Sequence, residues 1–202
     1  MFAPQAGGPK RRRTTMKRLF PSALLAASLM AAPAFAATMG GNPMVGGAPM
    51  YASKNIIENA VNSADHTTLV AAVKAAGLVD TLEGPGPFTV FAPTNEAFAA
   101  LPAGTVETLL KPENKATLVK ILTAHVIAGK ITAEQMIARA KASPTGFYNM
   151  QTVSGDALSA QVTPSGALWI YDESGQAYRV TISDVMQSNG VIHVVNGVLL
   201  PK

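Results

Sequence analysis

The side chains best suited to chemistry in this sequence are three histidines, His66, His125 and His193. Neutral imidazole binds metal ions, and it also carries protons near neutral pH. The three histidines are about sixty residues apart, whereas zinc ligands usually come in closely spaced pairs. The sequence also contains no cysteine. We therefore expect no metal centre and no cofactor.

Asp172 and Glu173 are neighbouring carboxylates inside a predicted turn. Paired carboxylates act as acid and base where their surroundings separate their pKa values, and a turn is normally solvated. The sequence also lacks a Gly-x-Ser-x-Gly elbow, a His-Glu-x-x-His zinc motif and a phosphate-binding loop. We predict that the protein is not an enzyme.

The first 36 residues have the layout of a secretory signal peptide. A positive segment at 16–18 precedes an apolar run at 19–32, and Ala34-Phe-Ala36 forms a small-x-small cleavage site. Residues 1–15 precede a second methionine and are interpreted as an over-extended start. We predict cleavage near Ala36 and an exported protein, periplasmic or extracellular.

The net charge of the protein depends on this leader. Six of the 16 Lys and Arg residues lie in it, and no Asp or Glu does. The remainder has 10 basic and 12 acidic residues, which gives a net charge of −2. We therefore expect no nucleic-acid partner. The apolar run is shorter than the ~20 strongly apolar residues of a membrane helix, so we expect no stable membrane insertion.

The rest of the chain divides into a linker and a domain. Gly and Pro interrupt residues 37–53 every few positions, which predicts a flexible linker. One domain is predicted over residues 54–202. Its first part shows helical spacing of apolar residues, and after about residue 150 apolar and polar residues alternate. This order predicts an α+β fold, with helices packed against a β-rich wedge and a C-terminal antiparallel meander and hairpin.

An early apolar segment predicts a strand that turns directly into a helix. Phe88, Phe91 and Phe98 are its large apolar side chains, each worth roughly 1.5–3 kcal/mol when fully buried. Pro93 ends the strand, and Thr94 can cap the following helix through its hydroxyl. The segment is interpreted as a determinant of the fold.

A late apolar segment predicts a hairpin. Asn189 and Gly190 supply a turn, and Asn196-Gly197 is a strong indicator of a two-residue hairpin between strands 191–195 and 198–200. His193 lies on an apolar face of the first of these strands, which predicts a core histidine whose ring nitrogens bond to the backbone.

The two segments, separated by a helix ending near His125 and by a β meander, resemble the two signature regions of the fasciclin domain family. The resemblance covers residues 54–202, and the chain looks like a single-domain secreted bacterial member of the family. It implies a wedge of strands flanked by helices. It also implies cell adhesion or association with extracellular matrix.

The resemblance also implies partner-binding residues. Animal relatives carry a Tyr-His pair and an Asp-Ile motif that are linked to adhesion. The corresponding positions here are His125, which follows Ala124 in place of the tyrosine, and Asp184 with Val185 and Met186.

The resulting hypothesis is a non-catalytic module that binds cell-surface or matrix protein or polysaccharide. Because one domain offers one site, useful avidity requires a homo-oligomer or a dense array. The alternative hypothesis is a periplasmic protein that binds a small ligand, or acts under stress, through an apolar pocket among the helices.

Overall fold

The computed structural model describes residues 42–201, which contain seven α-helices and nine β-strands. The helices are α1 (Ile56–Ala60), α2 (Thr67–Ala76), α3 (Val79–Glu83), α4 (Asn95–Ala99), α5 (Thr105–Leu109), α6 (Lys115–Ala124) and α7 (Ala133–Ala142). The strands are β1 (Met44–Val45), β2 (Ala48–Pro49), β3 (Phe88–Pro93), β4 (Val126–Ala128), β5 (Phe147–Gln151), β6 (Ala157–Val162), β7 (Leu168–Tyr171), β8 (Ala177–Gln187) and β9 (Gly190–Val195). The predicted signal peptide lies outside the described residues.

The main sheet joins the two apolar segments to each other. It has seven strands in the order β4-β3-β9-β8-β7-β6-β5. Strands β3 and β9 pair in parallel from Phe88 opposite Gly190 to Pro93 opposite Val195, and the other pairs are antiparallel. All six residues of β9 are buried, as expected for a strand that is covered on both faces.

The central strands separate two hydrophobic cores. Val90 and Ile192 point into a core formed with the helices α1 to α6, while Phe91 and Val195 point into a second core under α7. This split follows from the period of two residues in a strand, which sends successive side chains to opposite faces. The order of helices first and a meander last confirms the predicted α+β fold class.

Local sequence accounts for several helix ends. The Thr94 hydroxyl accepts a hydrogen bond from the Ala97 amide (3.3 Å) and begins α4, as predicted. Thr132 and Gln135 form the capping box that begins α7. Among residues 42–201, no helix is long and apolar enough to cross a membrane.

The predicted hairpin at Asn196-Gly197 is wrong. The last hairpin of the sheet joins β8 to β9 through Ser188 and Asn189, and residues 198–200 form no strand. After the chain leaves the sheet at Val195, the aromatic ring of Tyr178 packs on Gly197, and a Cβ at position 197 would lie 1.8 Å from that ring. Gly197 is therefore a packing glycine and not a turn glycine.

The described part of the predicted linker is folded. Strands β1 and β2 form a small hairpin through Gly46 and Gly47, both with positive φ, and Val45 and Met50 are buried in the first core. The Asn59 side chain then bonds to both backbone groups of Tyr51, at 3.0 Å and 2.7 Å. Burial of the two apolar side chains, which the Gly and Pro content obscured, holds residues 43–51 on the domain.

Gly190 is required by the close approach of β9 to β3. A Cβ at this position would lie 2.2 Å from the carbonyl oxygen of Phe88. We expect Gly190→Ala to lower the free energy of unfolding by about 3 kcal/mol, because the backbones of the central pair must separate. Urea unfolding followed by circular dichroism measures the change, with the exposed neighbour Ser188→Ala as the control. A Gly190→Ala protein as stable as the control would contradict this account of the β3–β9 pair.

Candidate functional site

His125 lies inside the domain. It follows the last residue of α6 and is 2 % exposed. Its Nδ1–H donates to the carbonyl oxygen of Ile121 (2.8 Å), and its Nε2 accepts the Leu199 amide (2.9 Å). The ring thus ties α6 to the segment after β9, where the backbone has no strand partner.

This environment keeps the His125 ring neutral. Burial lowers the pKa of His125 to about 4, against the opposing influences of the Ile121 carbonyl and the Asp172 carboxylate. A protonated ring would present an N–H to the Leu199 amide in place of an acceptor. Although a positive charge is favourable at the C-terminal end of a helix, desolvation outweighs the helix dipole here.

Asp172 has a role that its place in a turn did not predict. The carboxylate is buried, and its Oδ1 accepts the backbone amides of Ser174 (2.9 Å) and Gln176 (3.0 Å). Its Oδ2 accepts the Leu200 amide (3.1 Å). His125 and Asp172 therefore bind the backbone amides of two successive residues, Leu199 and Leu200. The Asp172 carboxylate is buried, whereas its place in a turn predicted that it would be solvated.

Asp184 is a structural link between strand β8 and helix α7. Its φ is 58°, and it lies within an irregularity in the pairing of β8 with β9. Its Oδ1 accepts the amide of Ala133, the first residue of α7, at 2.8 Å. A carboxylate at a helix N-terminus satisfies a free amide and complements the helix dipole.

His193 completes the same link from strand β9. It is fully buried; its Nδ1 accepts the Asp184 amide (3.3 Å), and its Nε2–H donates to the Ile131 carbonyl (2.9 Å). Burial lowers the pKa of His193, against opposing influences from Ile131 and Asp184. The prediction of a core histidine bonded to backbone through its ring nitrogens is confirmed.

The four residues assigned to partner binding do not form one exposed surface. His125 and Val185 are buried, at 2 % and 1 % exposure, and Val185 packs in the first core. Asp184 and Met186 are half-buried. Their assignment to a binding surface remains a prediction that the packing does not support.

Asn189 is the most connected of the predicted motif residues. Its Oδ1 accepts the Ile56 amide at the start of α1 (3.1 Å), and its Nδ2 donates to the carbonyls of Leu82 (2.7 Å) and Gly84 (2.9 Å). Its own carbonyl accepts the Phe88 amide (3.0 Å). Asn189 thus serves three elements beyond its own turn.

Of the other structural residues, Phe91, Pro93 and Phe98 are buried and Phe88 is half-buried. The backbone amide and the side-chain oxygen of Asn196 both bond to the Arg179 backbone.

His66 was one of the three candidate histidines, but the sequence indicated nothing of its surroundings. It is 3 % exposed, it precedes α2, and it lines a cavity beneath the small hairpin. Its spacing from the other two histidines in the sequence indicated no particular role for it. Within residues 42–201, no group of three or more His, Asp or Glu side chains could hold a metal ion.

The fold and these internal hydrogen bonds define an α+β module whose motif side chains connect its own helices and strands. The Fasciclin domain model matches residues 64–201, and the chain belongs to that family. It is 51 % identical over 148 residues to Protein sll1483 of Synechocystis, covering 72 % of this chain and 73 % of that one.

Other relatives extend the comparison. Immunogenic protein MPB70 of Mycobacterium bovis is 34 % identical over 152 residues, or 70 % of this chain and 66 % of that protein. A solved FAS1 domain pair from the insect cell adhesion molecule Fasciclin I superposes with a TM-score of 0.65 at 19 % identity, covering 73 % of this chain and 51 % of that one. This last likeness shows the fold.

The neutral state of His125 predicts loss of stability in acid. The ordinary pKa of 6.5 applies to the unfolded chain and about 4 to the folded one, so between these values the unfolded chain binds more protons. Protonation of His125 therefore leaves the free energy of unfolding unchanged above pH 6.5. As pH falls from 6.5 towards 4, protonation of the unfolded chain lowers that free energy by about 3 kcal/mol. Urea unfolding between pH 7.5 and 4.5 measures it.

Substitution separates His125 from other acid-sensitive groups. We expect His125→Leu to lower stability at pH 7.5 by about 1–3 kcal/mol, since the Leu199 amide loses its acceptor, and to flatten the fall in stability with acid. Leu122→Ala, a buried residue of the same helix, should lower stability while keeping the wild-type pH dependence. An unchanged pH dependence in His125→Leu would refute the neutral-ring account.

The Asp184 link predicts different effects of two substitutions. Asp184→Ala loses the acceptor for Ala133 and places alanine at positive φ, so we expect a loss of about 2 kcal/mol. Asp184→Asn keeps an acceptor and tolerates this backbone, so we expect about 0.5 kcal/mol. Thermal and urea unfolding measure both. Equal stability of Asp184→Ala and the wild type would exclude the structural role.

Proposed function

We propose that the protein is an exported, non-catalytic binding domain that attaches to cell-surface or extracellular-matrix material. Its family membership supports this, because Fasciclin I, which shares the fold, is a cell adhesion molecule. The predicted signal peptide supports export to the periplasm or beyond. Attachment at one site per domain gains strength from a homo-oligomer or a dense array.

The contact surface that we propose is the outer face of the sheet β5–β8. Pairing places Phe147 opposite Gln161, Gln161 opposite Trp169, and Trp169 opposite Arg179, so one row crosses four strands. Residues directly opposite each other on paired strands point to the same side of the sheet, so these four side chains lie on one face. The first three are half-buried and Arg179 is exposed. This row is the observation that carries the proposal.

The opposite face of the same strands belongs to the second core. Met150, Leu158, Ala160 and Ile170 are buried there together with Met136 of α7. The contrast between the two faces supports the proposal that a partner contacts the outer one. We name it the outer sheet face, with Phe147, Gln161, Trp169, Tyr171 and Arg179 as its defining residues.

The chemistry of the outer sheet face favours a polysaccharide. Phe147 and Tyr171 pack edge to face, with ring centroids 5.3 Å apart, and the Tyr171 hydroxyl donates to Gln161 (2.8 Å). Aromatic rings supply rigid apolar area, while amide, hydroxyl and guanidinium groups supply hydrogen bonds. A sugar ring has the matching features, an apolar C–H face and a rim of hydroxyl groups.

We expect Trp169→Val to weaken attachment at least tenfold, because a β-branched residue maintains the strand but removes the largest ring of the face. Sedimentation of the processed protein with isolated envelope polysaccharide and with protein-rich matrix fractions measures binding. Asp184→Asn is the control, and we expect wild-type attachment for it. Unchanged binding of Trp169→Val together with loss of binding in Asp184→Asn would mean that the contact surface includes Asp184 and not the outer sheet face.

A further inference from the structure

The dipeptide Asn-Gly occurs twice in the late apolar segment, at Asn189-Gly190 and at Asn196-Gly197. Asparagine is one of the residues that decay chemically in proteins. Its side-chain amide is lost most readily before glycine, because no Cβ then shields the backbone nitrogen that attacks the side chain. The structure gives the two asparagines opposite surroundings, so we expect them to differ in reactivity.

Asn189 is held by both ends of its side-chain amide. It is 7 % exposed. Its Oδ1 accepts the Ile56 amide, and its Nδ2 donates to the carbonyls of Leu82 and Gly84. The following residue, Gly190, is buried in β9 between strands β3 and β8. Reaction at Asn189 therefore requires a local unfolding that breaks three hydrogen bonds.

Asn196 is exposed. Within residues 42–201, its side chain makes a single hydrogen bond, in which Oδ1 accepts the Arg179 amide at 2.7 Å. No acceptor in this part of the chain binds the backbone amide of Gly197. The side-chain nitrogen that must leave and the backbone nitrogen that must attack are thus both without competing bonds inside the domain.

The hydrogen bond from Arg179 favours reaction at Asn196. Attack on Cγ gives a tetrahedral intermediate whose negative charge develops on Oδ1, and the backbone N–H of Arg179 is already directed at this oxygen. A fixed donor in this place stabilises the charge, as in an oxyanion hole. The packing of Tyr178 leaves no room for a Cβ at Gly197, so the fold itself requires the residue that leaves the attacking nitrogen unshielded.

We propose that Asn196 is a site of spontaneous deamidation, with water as the only co-reactant. The nitrogen of Gly197 bonds to Cγ of Asn196, the bond from Cγ to Nδ2 breaks, and ammonia leaves with the proton of the Gly197 amide. Water then opens the cyclic imide to aspartate or isoaspartate at position 196. The product carries a carboxylate beside Arg179 of the outer sheet face. Attachment to polysaccharide can fail while this proposal stands.

Peptide mapping by mass spectrometry, after incubation of the processed protein in mildly alkaline buffer, tests the site. We expect deamidation of Asn196 to be at least tenfold faster than that of Asn189, which must await local unfolding. Asn149 is exposed but precedes Met150, so it is the control for exposure alone and should also react more slowly. Equal rates at Asn196 and at either other asparagine would overturn the proposal. Isoaspartate should form beside aspartate, and aspartate alone would exclude the imide.

The unfolded chain separates the effect of the fold from that of the dipeptide. In urea, Asn189 and Asn196 should deamidate at similar rates, and folding should slow Asn189 alone. Slowing of Asn196 on folding by about tenfold or more would mean that local structure protects it, and the proposal would fail.

Asn196→Gln tests the assignment by charge. Its longer side chain must close a larger and less favoured ring, so the acidic species that isoelectric focusing detects in the incubated wild type should be lost. An unchanged acidic species in Asn196→Gln would place the modification at another residue.

Discussion

The structure depends on the parallel pairing of β3 with β9. These strands are about 100 residues apart in the sequence, and together they form the wall between the two cores. The pairing requires glycine at position 190, where no Cβ fits beside the Phe88 carbonyl. Both apolar segments of the sequence are therefore halves of one central feature, and neither can adopt its buried form without the other.

Polar side chains then bind backbone groups that the strands and helices leave without hydrogen-bond partners. Asn189 binds the start of α1 and the end of α3, Asp184 and His193 bind the start of α7, and His125 binds the backbone after β9. In each case a side chain satisfies backbone groups that lack a partner within their own element. The residues that looked most suited to function thus hold the elements of the fold together.

Local interactions were predictable, and distant ones were not. The Thr94 cap and the Thr132–Gln135 capping box involve neighbours three residues apart, so a sequence pattern reports them. The roles of His125 and Asp184 depend on amides 74 and 51 residues away, which no local pattern contains. The packing of Tyr178 on Gly197 is also absent from the local pattern that predicted a hairpin at Asn196-Gly197. The burial of Val45 and Met50 is likewise absent from the composition that predicted a linker.

The sequence separation of β3 and β9 has a consequence for the order of synthesis. When β3 leaves the ribosome, its neighbour on one side does not yet exist, and the wall between the cores cannot form until β9 follows. The nascent domain therefore exposes its apolar helices and strands for most of its elongation, as expected for a topology rich in distant contacts. The seven-stranded sheet cannot be completed until β9 has been synthesised.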